Sequence, residues 1–159
     1  MKLYGRKVLI LAADGGEYSE ILDTRRAFER EGAVVFITAP SDHMTIETVE
    51  GGRSGGEILL DFPLAGVDPE LFDALVIPDG LLAADILAKS DVAKQVISDF
   101  HTAKRPICAS GQAEKLLVTV GIDPHPLVLR EEDELPGFLQ RSIELVMESP
   151  SRYEPNSQN

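Results

Sequence analysis

A chain of 159 residues can build one domain around a real hydrophobic core. Apolar residues make up 43% and charged residues 26%, ordinary values for a soluble globular chain, and the formal net charge is −12. Such a charge repels phosphate backbones and anionic lipid, which excludes nucleic acid and membrane surfaces as expected partners. No apolar run approaches the roughly 20 residues a spanning helix needs.

The N-terminal stretch carries Lys2, Arg6 and Lys7, but the apolar run Val8 to Ala13 is too short for the core of a signal peptide and leads into Asp14-Gly15-Gly16-Glu17. The single cysteine, Cys108, allows no internal disulfide framework and fits a reducing compartment. The expected location is therefore cytoplasmic.

Val8-Leu9-Ile10-Leu11 is a continuous, partly β-branched apolar run, the pattern of a strand covered on both faces. After the polar turn Asp14-Gly15-Gly16, a helix is expected from about Ser19 to Glu31, closed by Gly32. Ala33 to Thr38 reads as a second buried strand, completing a right-handed β-α-β unit. The stretch from Ser41 to Pro63 is irregular; Gly51-Gly52 and Gly55-Gly56 mark turns, and Ile58-Leu59-Leu60 fits a short strand. Asp68-Pro69 has the form of a helix start.

Ala74 to Pro78 is the next buried strand and ends at Asp79-Gly80. A helix is expected from Ser90 to His101 with Val92, Val96, Ile97 and Phe100 on its apolar face. Pro106 to Ser110 is a strand, Gly111-Gln112 a sharp turn, and a helix follows to about Val120 with Gly121 closing it. Leu127 to Leu129 is a last short strand. A final helix over about Glu134 to Glu148 carries Leu135, Phe138, Leu139, Ser142, Ile143 and Val146 on one stripe. Residues 1–148 thus form a single expected domain, and 149–159 have the polar, turn-rich composition of a disordered tail.

Alternation of strands and helices implies an α/β fold, a flavodoxin-like, doubly wound, mostly parallel sheet with helices on both faces. Ligands of such sheets bind beyond the carboxyl ends of the strands. Three turns converge there: Asp14 to Glu17, Asp79-Gly80 and Ser110-Gly111-Gln112.

Those three turns resemble the DJ-1/PfpI family. Gly16-Glu17-Tyr18-Ser19-Glu20 is similar to the family's first strand-to-helix turn, with Glu17 on its active-site glutamate. Phe72-Asp73-Ala74-Leu75-Val76-Ile77-Pro78-Asp79-Gly80 resembles its central strand and oxyanion loop, with Asp79 where that loop's first glycine stands. Arg105 to Ile122 resembles its nucleophile strand, elbow and helix. Pro106 at one end and Leu116-Leu117 with Gly121-Ile122 at the other fix the register without a gap. Gly111 then falls on the family's nucleophilic cysteine, Gln112 on the histidine after it, and Cys108 inside the strand. Arg130 and Glu134 to Phe138 resemble the family's ending, while the segment between elbow helix and last strand is largely missing, which leaves a more open cleft.

The resemblance implies a pocket formed by Glu17, Asp79, Gly80, Ser110, Gly111 and Gln112. Family members attack with a thiolate held at a strained elbow and tuned by the helix N-terminus and the glutamate. Glycine at 111 supplies no attacking atom, so the expected protein keeps the scaffold without cysteine chemistry, as a small-ligand-binding or assembly module. The alternative is a divergent hydrolase, amidase or glyoxalase-like lyase that uses Glu17, with Ser110 or Gln112 in support.

Cys108, between Ile107 and Ala109, reads as an inert core thiol. His43, His101 and His125 are scattered surface residues. Gly51 to Gly56 lacks the ending of a phosphate loop, and no Cys/His set has metal-ligand spacing. No cofactor is expected. The resemblance also implies a homodimer, for which Leu59, Phe62, Phe138 and Leu139 are the candidate apolar patch.

Overall fold

The computed structural model describes residues 2–123, 125–131 and 134–151. Five strands, β1 (Lys7–Leu11), β2 (Val34–Thr38), β5 (Ala74–Ile77), β6 (Ile107–Ser110) and β7 (Val128–Glu131), form one parallel sheet in the order β2-β1-β5-β6-β7. Chain order reverses between β1 and β5, which makes their carboxyl ends the switch point of a doubly wound sheet. A separate antiparallel hairpin, β3 (Thr45–Glu50) and β4 (Arg53–Leu59), lies between β2 and β5 in sequence.

Helices cover both faces because the central strands, apart from Lys7 at the start of β1 and Ser110 at the end of β6, are apolar and alternate their side chains. Val8, Ile10, Val76 and Cys108 point toward α1 (Tyr18–Arg30) and α5 (Leu135–Glu148), where Phe28, Phe138 and Val146 meet them. Leu9, Leu11, Leu75, Ile77, Ile107 and Ala109 point the other way, toward α2 (Leu81–Lys89), α3 (Asp91–Thr102) and α4 (Gln112–Val120). Phe36, Phe62, Phe72 and Phe100 form a chain of ring contacts at 5.8 to 6.1 Å on this second face.

Local chemistry accounts for the boundaries. Ser90 caps α3, its hydroxyl accepting the Ala93 N–H at 3.1 Å. Gly121 closes α4 in the left-handed conformation. Asp68 and Pro69 start only a 3₁₀ turn, Pro69–Leu71, with the Asp68 carboxylate accepting the Glu70 N–H.

Five expectations change. The irregular stretch holds the full β3–β4 hairpin; Gly51-Gly52 is its turn, whereas Gly55 lies inside β4, packed against Thr48 and Val49. A helix not anticipated, α2, fills the interval between Gly80 and Ser90. On α3 it is Ala93 rather than Val92 that joins the buried face, because Val92 sits on the solvent side of the first turn, 45% exposed. Of the apolar residues expected at a self-complementary patch, Phe138 and Leu139 are packed into the core and Phe62 is partly buried, which leaves Leu59 exposed. Ser149, placed in the expected tail, is buried and donates its hydroxyl hydrogen to Val146 O at 2.8 Å; residues 152–159 of that tail lie outside the described residues.

The hairpin is fastened to the loop after β1 and to the start of α1. Gly15 N–H donates to Glu47 O at 2.8 Å and Val49 N–H to Gly16 O at 3.0 Å. Glu47 N–H donates to the Asp14 carboxylate at 2.9 Å. Ser19 donates its amide and hydroxyl to the Glu50 carboxylate at 3.1 and 2.8 Å. Among the described residues, no helix is long and apolar enough to cross a membrane.

Candidate functional site

The loops that follow β1, β5 and β6 meet at the switch point. Gly80 packs against the Gly15–Gly16 backbone, and Leu82 lies so close over Gly15 that a Cβ there would stand 2.6 Å from its Cδ2. A cleft of about 470 Å³ opens beside them, lined by Gly15, Glu17, Val49, Gly80, Leu81, Leu82 and Asp85. Its walls are thus the hairpin on one side and the start of α2 on the other. The first two sequence-predicted turns line this cleft; the third, Ser110-Gly111-Gln112, adjoins the second through Asp79 and contributes no lining residue.

The turn after β6 is a strand-to-helix elbow. Ser110 ends the strand and is buried, and Gly111 precedes α4 with φ 57° and ψ −122°. An L-residue at this positive φ is strained, which is why glycine suits it. The elbow carries no thiol, hydroxyl or imidazole at position 111. Its space is taken by Asp79, whose Oδ1 accepts the N–H of Gly80 at 2.8 Å and that of Gln112 at 2.7 Å. The first amides of a helix have no intrahelical acceptor, and a carboxylate there is favoured by the helix dipole. Asp79 is therefore a cap supplied to α4 from another loop.

Among the described residues, the carboxylate that burial perturbs is Glu20. The resemblance puts Glu17 on the family's active-site glutamate; in the structure Glu17 stands at the head of α1, on the cleft wall, with its backbone bridged to Val49. One helical turn on, Glu20 is half-buried and its Oε2 has no hydrogen-bond partner. Burial raises its carboxyl from 4.5 to about 7, helped by the charges of Asp79, Glu17, Glu50 and Asp23, in that order. Its position in the turn Gly16 to Glu20, three residues after Glu17, was the available signal. What raises it comes from residues distant in sequence.

Cys108 does not reach the cleft. It is fully buried in β6, paired with Val76 and Leu129 on its neighbours and facing α5. Desolvation pushes its thiol up to about 12, the nearby Ser142 hydroxyl acting weakly in the opposite sense. His101 and His125 touch edge to face at 5.9 Å, away from the cleft-lining residues. Among the described residues, no group of three or more His, Cys, Asp or Glu could hold a metal ion.

Comparison with known proteins agrees with the fold. The model of the DJ-1/PfpI family matches residues 6–124. Catalase HPII of Mycobacterium avium is 31% identical over 121 residues, 74% of this chain but only 16% of the catalase. A deglycase of Thermococcus kodakarensis is 28% identical over 116 residues, 73% of this chain and 66% of the deglycase. The chain thus spans under a fifth of that catalase and just under two thirds of that deglycase. Among solved structures, DJ-1beta of Drosophila melanogaster superposes with a TM-score of 0.72 at 19% identity, covering 90% of this chain and 89% of the other.

Proposed function

The chain belongs to the DJ-1/PfpI family, and we propose that within it the chain serves without cysteine-dependent catalysis, as a module that binds a small ligand in the cleft or assembles with other chains. The carrying observation is that residue 111, at the elbow, is glycine, while the chain's one cysteine is fully buried in β6. With no attacking atom at the elbow, covalent chemistry of the thiolate type has no starting point. The cleft's apolar walls, Val49, Leu81 and Leu82, with carboxylates of Glu17 and Asp85 at its rim, suit a small ligand with an apolar body. The catalase, whose similarity to this chain occupies a small part of its length, supports reading the domain as a scaffold that can accompany another unit.

Purified protein is expected to show no methylglyoxal conversion and no peptidase turnover above background. Turnover that Glu17→Ala or Glu20→Ala abolishes would overturn this reading. It would favour the second one, carboxyl-based acid–base catalysis, which has its own observation: Glu20 titrates near neutrality close to the charge of Asp79.

The assembly proposed is a homodimer. A groove of about 570 Å³ between α1 and α5 has Ala27, Leu139 and Ile143 along it and mixes Lys2 and Arg30 with Asp23 and Glu144 at its margins. Such mixed charge is compatible with a two-fold, self-complementary contact. Light scattering at micromolar concentration is expected to give twice the chain mass at physiological salt. A monomer there and at low salt would reject the dimer.

A further inference from the structure

The elbow has room for one side chain. Gly111 holds its positive φ at the head of α4, and a Cβ added to it would collide with the carboxyl carbon and both carboxyl oxygens of Asp79. Those atoms are not the free end of a long chain. A single methylene joins them to the backbone, and Oδ1 is held by the amides of Gly80 and Gln112. The carboxylate can leave only by giving up both hydrogen bonds.

We propose that Asp79 is a resident internal occupant of the elbow: its carboxylate and any side chain at position 111 are alternative tenants of one space, so a reactive group placed at 111 stays disabled until Asp79 is removed. The proposal deepens the reading that this site lacks cysteine chemistry and rests on it. It adds that two substitutions, not one, separate this elbow from one that can carry a nucleophile.

The physical terms are separable. A side chain at 111 meets the strain of a positive φ whatever residue 79 is. With Asp79 present it also displaces the cap of α4 and leaves the Gln112 amide without its acceptor. The expelled carboxylate must then find another position near Glu20, on which its charge already acts. Removing the Asp79 side chain abolishes the collision and the displaced carboxylate; the φ strain and the uncapped Gln112 amide remain. The amides of Gly80 and Gln112 then face whatever occupies position 111. A thiol at that place lies at a helix N-terminus, where the thiolate is favoured.

The test is a double-mutant cycle of wild type, Asp79→Gly, Gly111→Cys and the double variant, with Cys108 kept in all four as a buried control. Two quantities are read: the melting temperature, and the alkylation rate of the thiol introduced at 111, followed by peptide mass spectrometry. Gly111→Cys alone is expected to lower the melting temperature by about 5 °C or more, and the double variant to recover part of that loss although it carries two changes. The introduced thiol is expected to react roughly tenfold faster in the double variant than in the single one. Additive melting temperatures with equal thiol rates would overturn the proposal. If Gly111→Cys yields no folded protein, Asp79→Gly in the same chain is expected to restore it, and a failure to do so, with Asp79→Gly alone folded, also overturns the proposal. Turnover by the wild type would instead strike the functional reading, and it leaves the outcome of the cycle readable on its own.

Discussion

Native protein held with iodoacetamide at pH 7 will leave Cys108 unmodified over a time in which the urea-unfolded chain is labelled to completion, with a native rate at least about 1,000-fold lower. An unperturbed thiol near 8.5 is about 3% thiolate at pH 7. Burial pushes the Cys108 thiol up to about 12, so the folded chain holds almost no thiolate there, and reagent reaches it only when the core opens locally, in a small fraction of molecules at any moment. Intact-mass spectrometry over time gives the rate. Rapid labelling at neutral pH, or build-up of the sulfinic acid under mild peroxide, would show a reactive thiol and contradict its place in the core.

Glu20→Gln is expected to stabilise the protein at pH 8 and to leave it little changed at pH 5. The folded-state carboxyl titrates near 7, against 4.5 for the free group. Between those values the native state keeps a proton that the unfolded state has lost, so stability falls as pH rises through this window and levels off above it. Taken whole, a shift of that size corresponds to about 3 kcal/mol. Glu20 is only half-buried, and water screens part of the effect, so about 1–2 kcal/mol is the expected gain for the neutral isostere. That is a rise of roughly 2–6 °C in melting temperature. Thermal unfolding of both proteins at pH 5 and pH 8 checks it, and a difference that does not grow with pH would mean that Glu20 carries no such shift.

The elements legible in the sequence were those whose pattern is local. β1, β5 and β6 are covered on both faces, so they read as unbroken apolar runs, and Gly111 was placed by residues fixed on either side of it. The helix α2 escaped because Gly80 gives it no side-chain cap and its sequence, Leu-Leu-Ala-Ala-Asp-Ile-Leu-Ala-Lys, opens without a polar stop signal. The strand β3 was overlooked although Thr45–Glu50 alternates, Ile46 and Thr48 inward and Glu47 outward. The pairs Gly51-Gly52 and Gly55-Gly56 that follow it have turn composition and mask the period of two. In the site, Asp79 was visible as a departure from a glycine. That its carboxylate crosses to the amide of Gln112 depends on how two loops approach, which no local pattern encodes. The same holds for Glu20, whose strongest neighbouring charge is again Asp79.

The fastening of the hairpin decides where the cleft can yield. Five hydrogen bonds join Gly15, Gly16, Asp14 and Ser19 to Glu47, Val49 and Glu50. At about 1 kcal/mol net for each, parting them would cost on the order of 5 kcal/mol, a large share of a small domain's stability. The opposite wall offers Leu81 and Leu82, 73% and 55% exposed; the Leu81 side chain changes rotamer freely and quickly, while Leu82 rests over Gly15. The cleft is a vice with one fixed jaw and one padded jaw. Under the proposed ligand-binding reading, a guest's rigid contour would be gauged against the hairpin, while differences in its bulk would be absorbed by Leu81, so the site would sort ligands by outline on one side and tolerate variation in size on the other.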